Sequence, residues 1–485
     1  MVLYAPFKPV IGTLLLLMLL SLCSCADPGR EKNSPPNVIL VLVDDLGIGD
    51  LSLYGQETLS TPNLDRMAAE GMYFTNMYTG STVCAPSRAS LLTGKHTGHC
   101  SVRGNRPWTQ IVGDDELTLA GVFKEAGYVT GAIGKWGVGA AIPEDDPEKK
   151  GFDYFYGYLN MWHAHNFYPE FLWENGTKVY LNNKTKLVDG VNPWADTLRD
   201  GRGVAELRED YAHYIFDEKA VSFIEENADH QFFLYLAYNL PHANNDNKEN
   251  GMLVHDYHEY AEKDWPIEEK GFAAMIRNID NSMDLILGAL KENRLDKNTL
   301  VLFCSDNGPH QEGGHRADFF NSNGNYKGRK RDLYEGGVRT PFIAWWPGRI
   351  EAGTRSDELF AFWDFLPTFA ELTDYKGNTY SDGISFLPSL FGREQEKQHD
   401  YLYWEFNENR GKQAIIKDRW KAVKLNVSVE GAGELELYNL DDDPGEQNNV
   451  ATGHPEIVKE IEELFVSART ESSLIPLLPD EIKPH

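Results

Sequence analysis

Cysteine is scarce in this chain: five in 485 residues, at positions 23, 25, 84, 100 and 304. Two of them fall in the first 25 residues, and the other three are too few and too scattered for a disulfide scaffold. Positive charge is also in deficit. Lys and Arg number 46 against 74 Asp and Glu, for a formal net charge of −28. A nucleic-acid surface needs clustered cations, so nucleic acid is excluded as a partner class. No His/Cys set has the spacing of a zinc site. No internal repeat or long low-complexity tract suggests a solenoid or a fibrous chain. The longest apolar run near the N-terminus, Ile11 to Leu22, is too short to span a bilayer well. What remains is a globular composition, 25% charged and 12% aromatic, with length for one large domain and a smaller one.

Lys8 ahead of the Ile11–Leu22 run reads as an export signal. Leu22-Cys23-Ser24-Cys25 resembles a bacterial lipobox, with small Ser24 before the acceptor Cys25. Cys23 is a poorer acceptor because bulky Leu22 precedes it. The expected order is a lipoprotein signal peptide over 1–24, a lipidated Cys25 and a polar, proline-rich tether over 25–36. Several acyl chains would anchor the protein stably to a membrane. That places it in a bacterial cell envelope, in the periplasm or on the outer-membrane surface.

Asn37 to Val43 (NVILVLV) is a continuous β-branched run, as in a strand buried on both faces of a parallel sheet. Val129 to Ile133, Phe232 to Ala237, Thr299 to Cys304 and Phe342 to Trp346 are runs of the same kind. Helical signals alternate with them. Pro62 to Glu70 starts after Thr61 and stops at Gly71. Phe272, Ile276, Ile279, Met283, Ile286, Leu287 and Leu290 form one apolar helical face. The pattern predicts an α/β fold: a large mixed, mostly parallel sheet flanked by helices, occupying 37–374. Beyond residue 375 the strand-like pieces are short: Gln413 to Ile416, Trp420 to Leu425 and Glu434 to Leu437. They predict a smaller antiparallel sheet in 375–485, with a helix over Pro455 to Ala468.

Asp44-Asp45 follows the first buried strand directly, and Asp306-Asn307-Gly308 closely follows the Thr299 strand. The carboxyl ends of parallel strands are where such sheets bind ligands. Neighbouring strand residues point to opposite faces, so both aspartates can meet one ion only where the chain leaves the sheet. Three carboxylates and an amide oxygen make an all-oxygen donor set, which suits a hard cation such as Ca²⁺.

Cys84-Ala85-Pro86-Ser87-Arg88, continuing Ala89-Ser90-Leu91-Leu92-Thr93-Gly94, is similar to the C-x-P-x-R signature of the type I, formylglycine-dependent sulfatases. Four further elements resemble that family in the same order: Asp44-Asp45, Gly134-Lys135-Trp136, Pro241-His242, and Asp306-Asn307 with Lys330 four residues before Tyr334-Glu335-Gly336-Gly337. Leu437 to Asn449 resembles its C-terminal signature. The resemblance spans 37 to about 449 and implies an arylsulfatase-like member of the alkaline phosphatase superfamily. It implies that Cys84 is a precursor, oxidised to formylglycine by a maturating enzyme, whose hydrate attacks sulfur. It assigns Ca²⁺ to Asp44, Asp45, Asp306, Asn307 and residue 84. Lys135 and Lys330 would meet the sulfate, and Arg88 would hold the hydrate or the metal-bound carboxylates. His242 or Lys330 would protonate the leaving alcohol. Lys327 and Arg329 flank Lys330 and compete for its assignment.

One departure is important. The family's GKWHLG reads Gly134-Lys135-Trp136-Gly137-Val138-Gly139 here, so the histidine that contacts the hydrate is missing. His163, His165 and His310 are the candidate substitutes and candidate substrate contacts. Trp136, Trp162, Trp404 and Tyr168 are candidates for stacking on sugar rings. The GKWG variant and the Gly151 to Tyr158 run resemble bacterial glycan-desulfating enzymes. They point to a sulfated glycan partner and to exo-action on galactose or N-acetylgalactosamine 4-O-sulfate. Two alternatives stay open: a phosphonate or phosphate ester hydrolase of the same superfamily, and a lipid-tethered sulfoglycan-binding protein without activity.

Overall fold

The computed structural model of the chain describes residues 1–2, 35–105, 116–138, 146–186, 201–431 and 433–478. Residues 3–24 of the expected signal peptide, Cys25 and nearly all of the tether lie outside those residues. Pro36–His485 forms one compact unit, separate from Met1–Pro35. Among the described residues no helix is long and apolar enough to cross a membrane.

In chain order the strands are β1 (Asn37–Val43), β2 (Met72–Tyr78), β3 (Val129–Lys135), β4 (Tyr154–Tyr158), β5 (Phe171–Glu174), β6 (Thr177–Tyr180), β7 (Lys184–Lys186), β8 (Val204–Leu207), β9 (Phe232–Ala237), β10 (Thr299–Ser305), β11 (Arg339–Trp345), β12 (Thr354–Ser356), β13 (Phe360–Ala361), β14 (Leu402–Phe406), β15 (Lys412–Lys417), β16 (Trp420–Leu425) and β17 (Leu435–Asn439). The principal helices are α1 (Pro62–Glu70), α2 (Cys84–Thr93), α3 (Leu119–Glu125), α4 (Ala212–Glu226), α5 (Ile267–Glu292), α6 (Phe365–Leu372) and α7 (Pro455–Ser467).

The large sheet has the order β12-β2-β11-β10-β1-β9-β3-β4-β5-β6, with β13 beside β2. Its centre, β10-β1-β9-β3-β4, is parallel throughout. Both flanks turn antiparallel, at β11 on one side and β5 on the other. The central strands carry no polar face because helices cover both sides. Ile39, Val41 and Val43 of β1 face one core with the apolar face of α5, while Val38, Leu40 and Leu42 face a second core with α3 and α6. Each such side chain contributes about 1.5–3 kcal/mol on full burial. Cys304 and Cys100 belong to the second core, and neither is bonded to another cysteine.

Strands β14 to β17 form a separate antiparallel meander. One of its faces carries Tyr403, Ile415, Ala422 and Leu437 against Ile461 and Phe465 of α7. The other carries Leu402, Trp404, Ala414, Ile416 and Val423, packed with Tyr78, Val83, Val338 and Trp363. Val83 precedes Cys84, so the small sheet lies directly behind the start of α2.

Candidate active site

The site is assembled at the carboxyl ends of the parallel strands. β1 ends at Val43, and Asp45 adopts φ +69°, a left-handed turn that aspartate tolerates better than most residues. That turn takes the chain out of the sheet and lets Asp44 and Asp45 face the same space. β10 delivers Asp306 and Asn307 beside them. The Asp45 N–H donates to Asp306 Oδ1 at 3.1 Å, and Asn307 Nδ2 donates to Asp45 Oδ1 at 2.7 Å. Gly308 lets this loop meet the one that carries Lys330: a Cβ there would lie 2.0 Å from the Gly336 carbonyl oxygen.

Three cations answer the three carboxylates. Lys135, the last residue of β3, places Nζ 2.6 Å from Asp44 Oδ2. Lys330 Nζ lies 2.7 Å from Asp45 Oδ2. Arg88, one turn into α2, donates through Nε to Asp306 Oδ2 (2.9 Å) and through Nη1 to the Lys135 carbonyl (2.9 Å), and its Nη2 is ion-paired 2.8 Å from Asp306 Oδ2. All six side chains are buried. Burial pushes the Asp44 carboxyl up, but Lys135, His242 and Arg88 together hold it well below the usual range. Lys330 and His242 do the same for Asp45, less strongly. Asp306 differs: burial, with Asp44 beside it, raises it to about 7 despite Arg88.

Residue 84 opens α2, with Cys84 Sγ 3.3 Å from Asp44 Oδ1. Burial and then the Asp44 carboxylate push its thiol well above the ordinary range. An unmodified Cys84 is therefore a neutral thiol, a poor nucleophile. Ligand atoms of Asp44, Asp45, Cys84 and His242 lie within 4.8 Å of one another. Asn307 Oδ1 is buried beside them without a hydrogen-bond partner. An acceptor left in that condition costs roughly 1–3 kcal/mol unless something fills it. Carboxylates with an orphaned amide oxygen are the donor set a hard divalent cation takes. The residues present fit such an ion.

His242 follows β9. Its Nδ1 donates to the Ala243 carbonyl at 2.7 Å, and Nε2 accepts from Lys330 Nζ at 3.1 Å. Of the cations competing at sequence level, only Lys330 enters the site. Lys327 turns to Tyr438 and Glu436, and Arg329 to Asp318. The three candidate histidines separate. His165 stacks on His242, ring centroids 4.2 Å apart at 18°. His310 lies on the other side of His242 at 6.0 Å, its nitrogens held by the Pro241 carbonyl and the Glu312 N–H. His163 is not brought to the cluster; it is buried between Tyr158 and Phe171. Trp136, Trp404 and Tyr168 are core residues, which removes them as sugar-stacking surfaces.

Sequence reasoning missed Glu312. Its Oε2 lies 3.1 Å from Lys330 Nζ and its Oε1 2.5 Å from Arg331 Nη1. Six residues beyond Asp306 in a loop, it follows no strand and carries no motif of its own. A second cluster, His96, His99 and Asp382, lies apart. His96 Nδ1 accepts from the Gly98 N–H, and His99 Nδ1 pairs with Asp382 at 2.9 Å, so these atoms are already partnered within the protein.

A sequence profile of the family described as Sulfatase matches residues 36–375, and one described as N-sulphoglucosamine sulphohydrolase, C-terminal, matches 324–471. The chain is 34% identical over 420 residues to an N-acetylgalactosamine-6-sulfatase of Canis lupus familiaris, covering 80% of this chain and 72% of that one. It is 30% identical over 506 residues to an N-acetylgalactosamine-6-O-sulfatase of Bacteroides thetaiotaomicron, covering 91% and 94%. A solved structure from work on glycosaminoglycan metabolism in Bacteroides thetaiotaomicron superposes with TM-score 0.74 at 27% identity, over 90% of this chain and all of that one. Ps i-CgsB in complex with k-i-k-neocarrahexaose gives 0.72 at 27% identity, over 89% and 92%.

Proposed function

This chain belongs to the sulfatase family, and we propose that it removes a 6-O-sulfate from N-acetylgalactosamine in a sulfated glycan, using formylglycine made from Cys84 and a Ca²⁺ ion. The broader statement, that it is a carbohydrate sulfatase and a sulfuric ester hydrolase, rests on family membership and on the named relatives. The observation that carries the finer reading is the convergence of Asp44, Asp45, Asp306 and the orphaned Asn307 Oδ1 on Cys84, ringed by Lys135, Lys330 and Arg88. The sulfate position follows the two relatives named as 6-sulfatases. The 4-O isomer expected from the GKWG variant is the matched comparison.

Asp44, Asp45, Asp306 and Asn307 would hold Ca²⁺, which supplies charge stabilisation to the sulfate oxygens. Formylglycine at residue 84 supplies an oxygen nucleophile in place of an inert thiol. The chain's own residues do the rest. Lys135 and Lys330 present ammonium groups where sulfate charge accumulates. Arg88 ties Asp306 to the end of β3 and so fixes both walls of the site. The Ala243 carbonyl sets the His242 tautomer, aiming the Nε2 lone pair at Lys330. That Lys330–His242 contact can pass a proton to the departing sugar oxygen. Attachment to the envelope through Cys25 belongs to the same proposal, supported by the lipobox-like Leu22 to Cys25; Cys25→Ser should release the protein from the membrane fraction.

The test is sulfate release by protein co-expressed with a formylglycine-generating enzyme, with the aldehyde at residue 84 verified by peptide mass. Substrates are 6-O- and 4-O-sulfated N-acetylgalactosamine, galactose and N-acetylglucosamine, beside matched phosphate esters. The expected outcome is turnover of the 6-O-sulfated N-acetylgalactosamine and none in Cys84→Ala. Faster phosphate than sulfate release, or turnover in Cys84→Ala, would overturn the reading.

A further inference from the structure

Position 137 is tight for a side chain. Gly137 has φ +71°, and a Cβ there would lie 3.1 Å from Lys135 Cε and 3.2 Å from Arg88 Cδ. Both of those residues are held by carboxylates. Gly137 itself carries no imidazole, so one serving this site comes from another element.

Three imidazoles are stacked there: His165, His242 and His310. They differ in what their nitrogens already do. His310 gives Nε2–H to the Pro241 carbonyl and takes the Glu312 N–H on Nδ1, which occupies both. His242 gives Nδ1–H to the Ala243 carbonyl, and its Nε2 lone pair takes a lysine N–H, which also occupies both. His165 is the half-buried outer ring of the stack. Among the described residues neither of its ring nitrogens has a hydrogen-bond partner. Its electrostatic neighbours are His242, Lys135, Lys330 and Asp44, the groups that surround residue 84. A ring nitrogen of His242, against which it lies, is within 4.8 Å of Cys84 Sγ.

We propose that His165 is a further catalytic residue, the imidazole that contacts the bound sulfate ester and accepts a proton from the oxygen carried by residue 84. This rests on the sulfatase reading above. The proton leaves that oxygen for the open ring nitrogen of His165 and passes to water through the ring's exposed edge; no electrons change hands. Burial and the adjacent cations keep the ring neutral, the state that holds a lone pair for this task. The element that carries it is a single short turn, His163–His165, between β4 and β5. His163, at the start of the same turn, is the buried anchor, packed on Tyr158 and Phe171, and it fixes where His165 projects.

Two measurements test this. In unmodified Cys84 protein labelled with ¹⁵N-histidine, inorganic sulfate in Ca²⁺ buffer should shift the ring resonances of His165, identified by their loss in His165→Gln. Sulfate that shifts His242 and leaves His165 unmoved overturns the proposal. In matured enzyme, His165→Ala should lose on the order of 10²-fold or more in kcat with KM changed less than threefold. Imidazole added to the buffer should restore at least tenfold of that loss. A His165→Ala enzyme within threefold of wild type overturns the proposal. Failure of the sulfatase reading looks different, because wild type itself would then release no sulfate while the resonance experiment still reports on His165.

Discussion

The pairing of three cations with three carboxylates makes single residues separable by measurement. Lys330 touches Asp45, His242 and Glu312 at once, whereas Lys135 touches Asp44 alone through its side chain. Lys135→Ala and Lys330→Ala should each lower kcat by about 10²–10³-fold in the sulfate-release assay. The Lys330 variant should also carry the acid limb of its pH–rate profile to higher pH, since burial and then Lys330 hold the His242 pKa down. Asn307 tests the ion. Ca²⁺ should raise the melting temperature of wild type and EDTA should lower it, because an ion bound only by the folded state stabilises by mass action. Asn307→Leu supplies no oxygen for that ion and should abolish most of the Ca²⁺-dependent shift, read by differential scanning fluorimetry. Most of these site residues were legible in the sequence for one reason. They follow buried strands, so a short apolar run announces where the chemistry begins. Glu312 and the separation of His165 from His163 were not legible. Both depend on how a loop folds back across the strand ends, and no local pattern records that.

Among the elements, β1, β3, β9, β10 and β11 were readable as apolar runs, whereas β4 in the parallel centre and the flanking β2, β5 and β6 were not. β1 is buried at every position, and its six residues after Asn37 form an unbroken apolar block. β2, MYFTNMY, alternates buried and half-exposed positions, and β6, TKVY, is exposed at both ends. Their sequences could equally serve a loop, and it is pairing with β11 and β5 that makes them strands. The start of α6 offers a pH test. His399 Nε2 lies 2.9 Å from both oxygens of Asp364, which also accept the Ala361 and Ile384 N–H groups. Burial lowers the His399 pKa, but Asp364 outweighs it and the net shift is upward. A raised pKa in the folded state contributes stability that is complete below the unfolded value near 6.5 and is lost as pH rises through the folded value. His399→Gln should therefore cost about 2 kcal/mol at pH 6 and clearly less at pH 9, measured by urea unfolding. A cost that is equal at the two pH values would mean the imidazolium is not what Asp364 holds.

At the scale of the whole molecule, the small C-terminal sheet is part of the machinery of the site and not an appendage. Its inner face shares a core with Val83, Tyr334 and Val338, which flank residue 84 and the Lys330 loop. A buried ionic network reinforces that contact. Lys421 of β16 places Nζ 2.7 Å from Glu335 Oε1 and 3.6 Å from Glu446 Oε1. Glu335 Oε2 takes the Arg339 guanidinium and the Tyr78 hydroxyl, and Glu446 Oε2 accepts the Glu335 N–H. Burial, opposed by Lys421 and Arg339, leaves Glu335 at about 2, whereas burial and Glu335 leave Glu446 at about 7. Removing one partner of such a network strands the others in low dielectric. Lys421→Met should cost about 3–5 kcal/mol in urea unfolding. Lys421→Met with Glu446→Gln should cost less than the two singles added, by roughly 0.5–3 kcal/mol, because the second change removes a charge that the first left unpaired. Glu335 lies five residues beyond Lys330, so the single variant should also lower kcat at temperatures where it remains folded, and the double should recover part of it. Additive stabilities with unchanged kcat would mean that the sheet only packs against the site and does not hold the Lys330 loop in place.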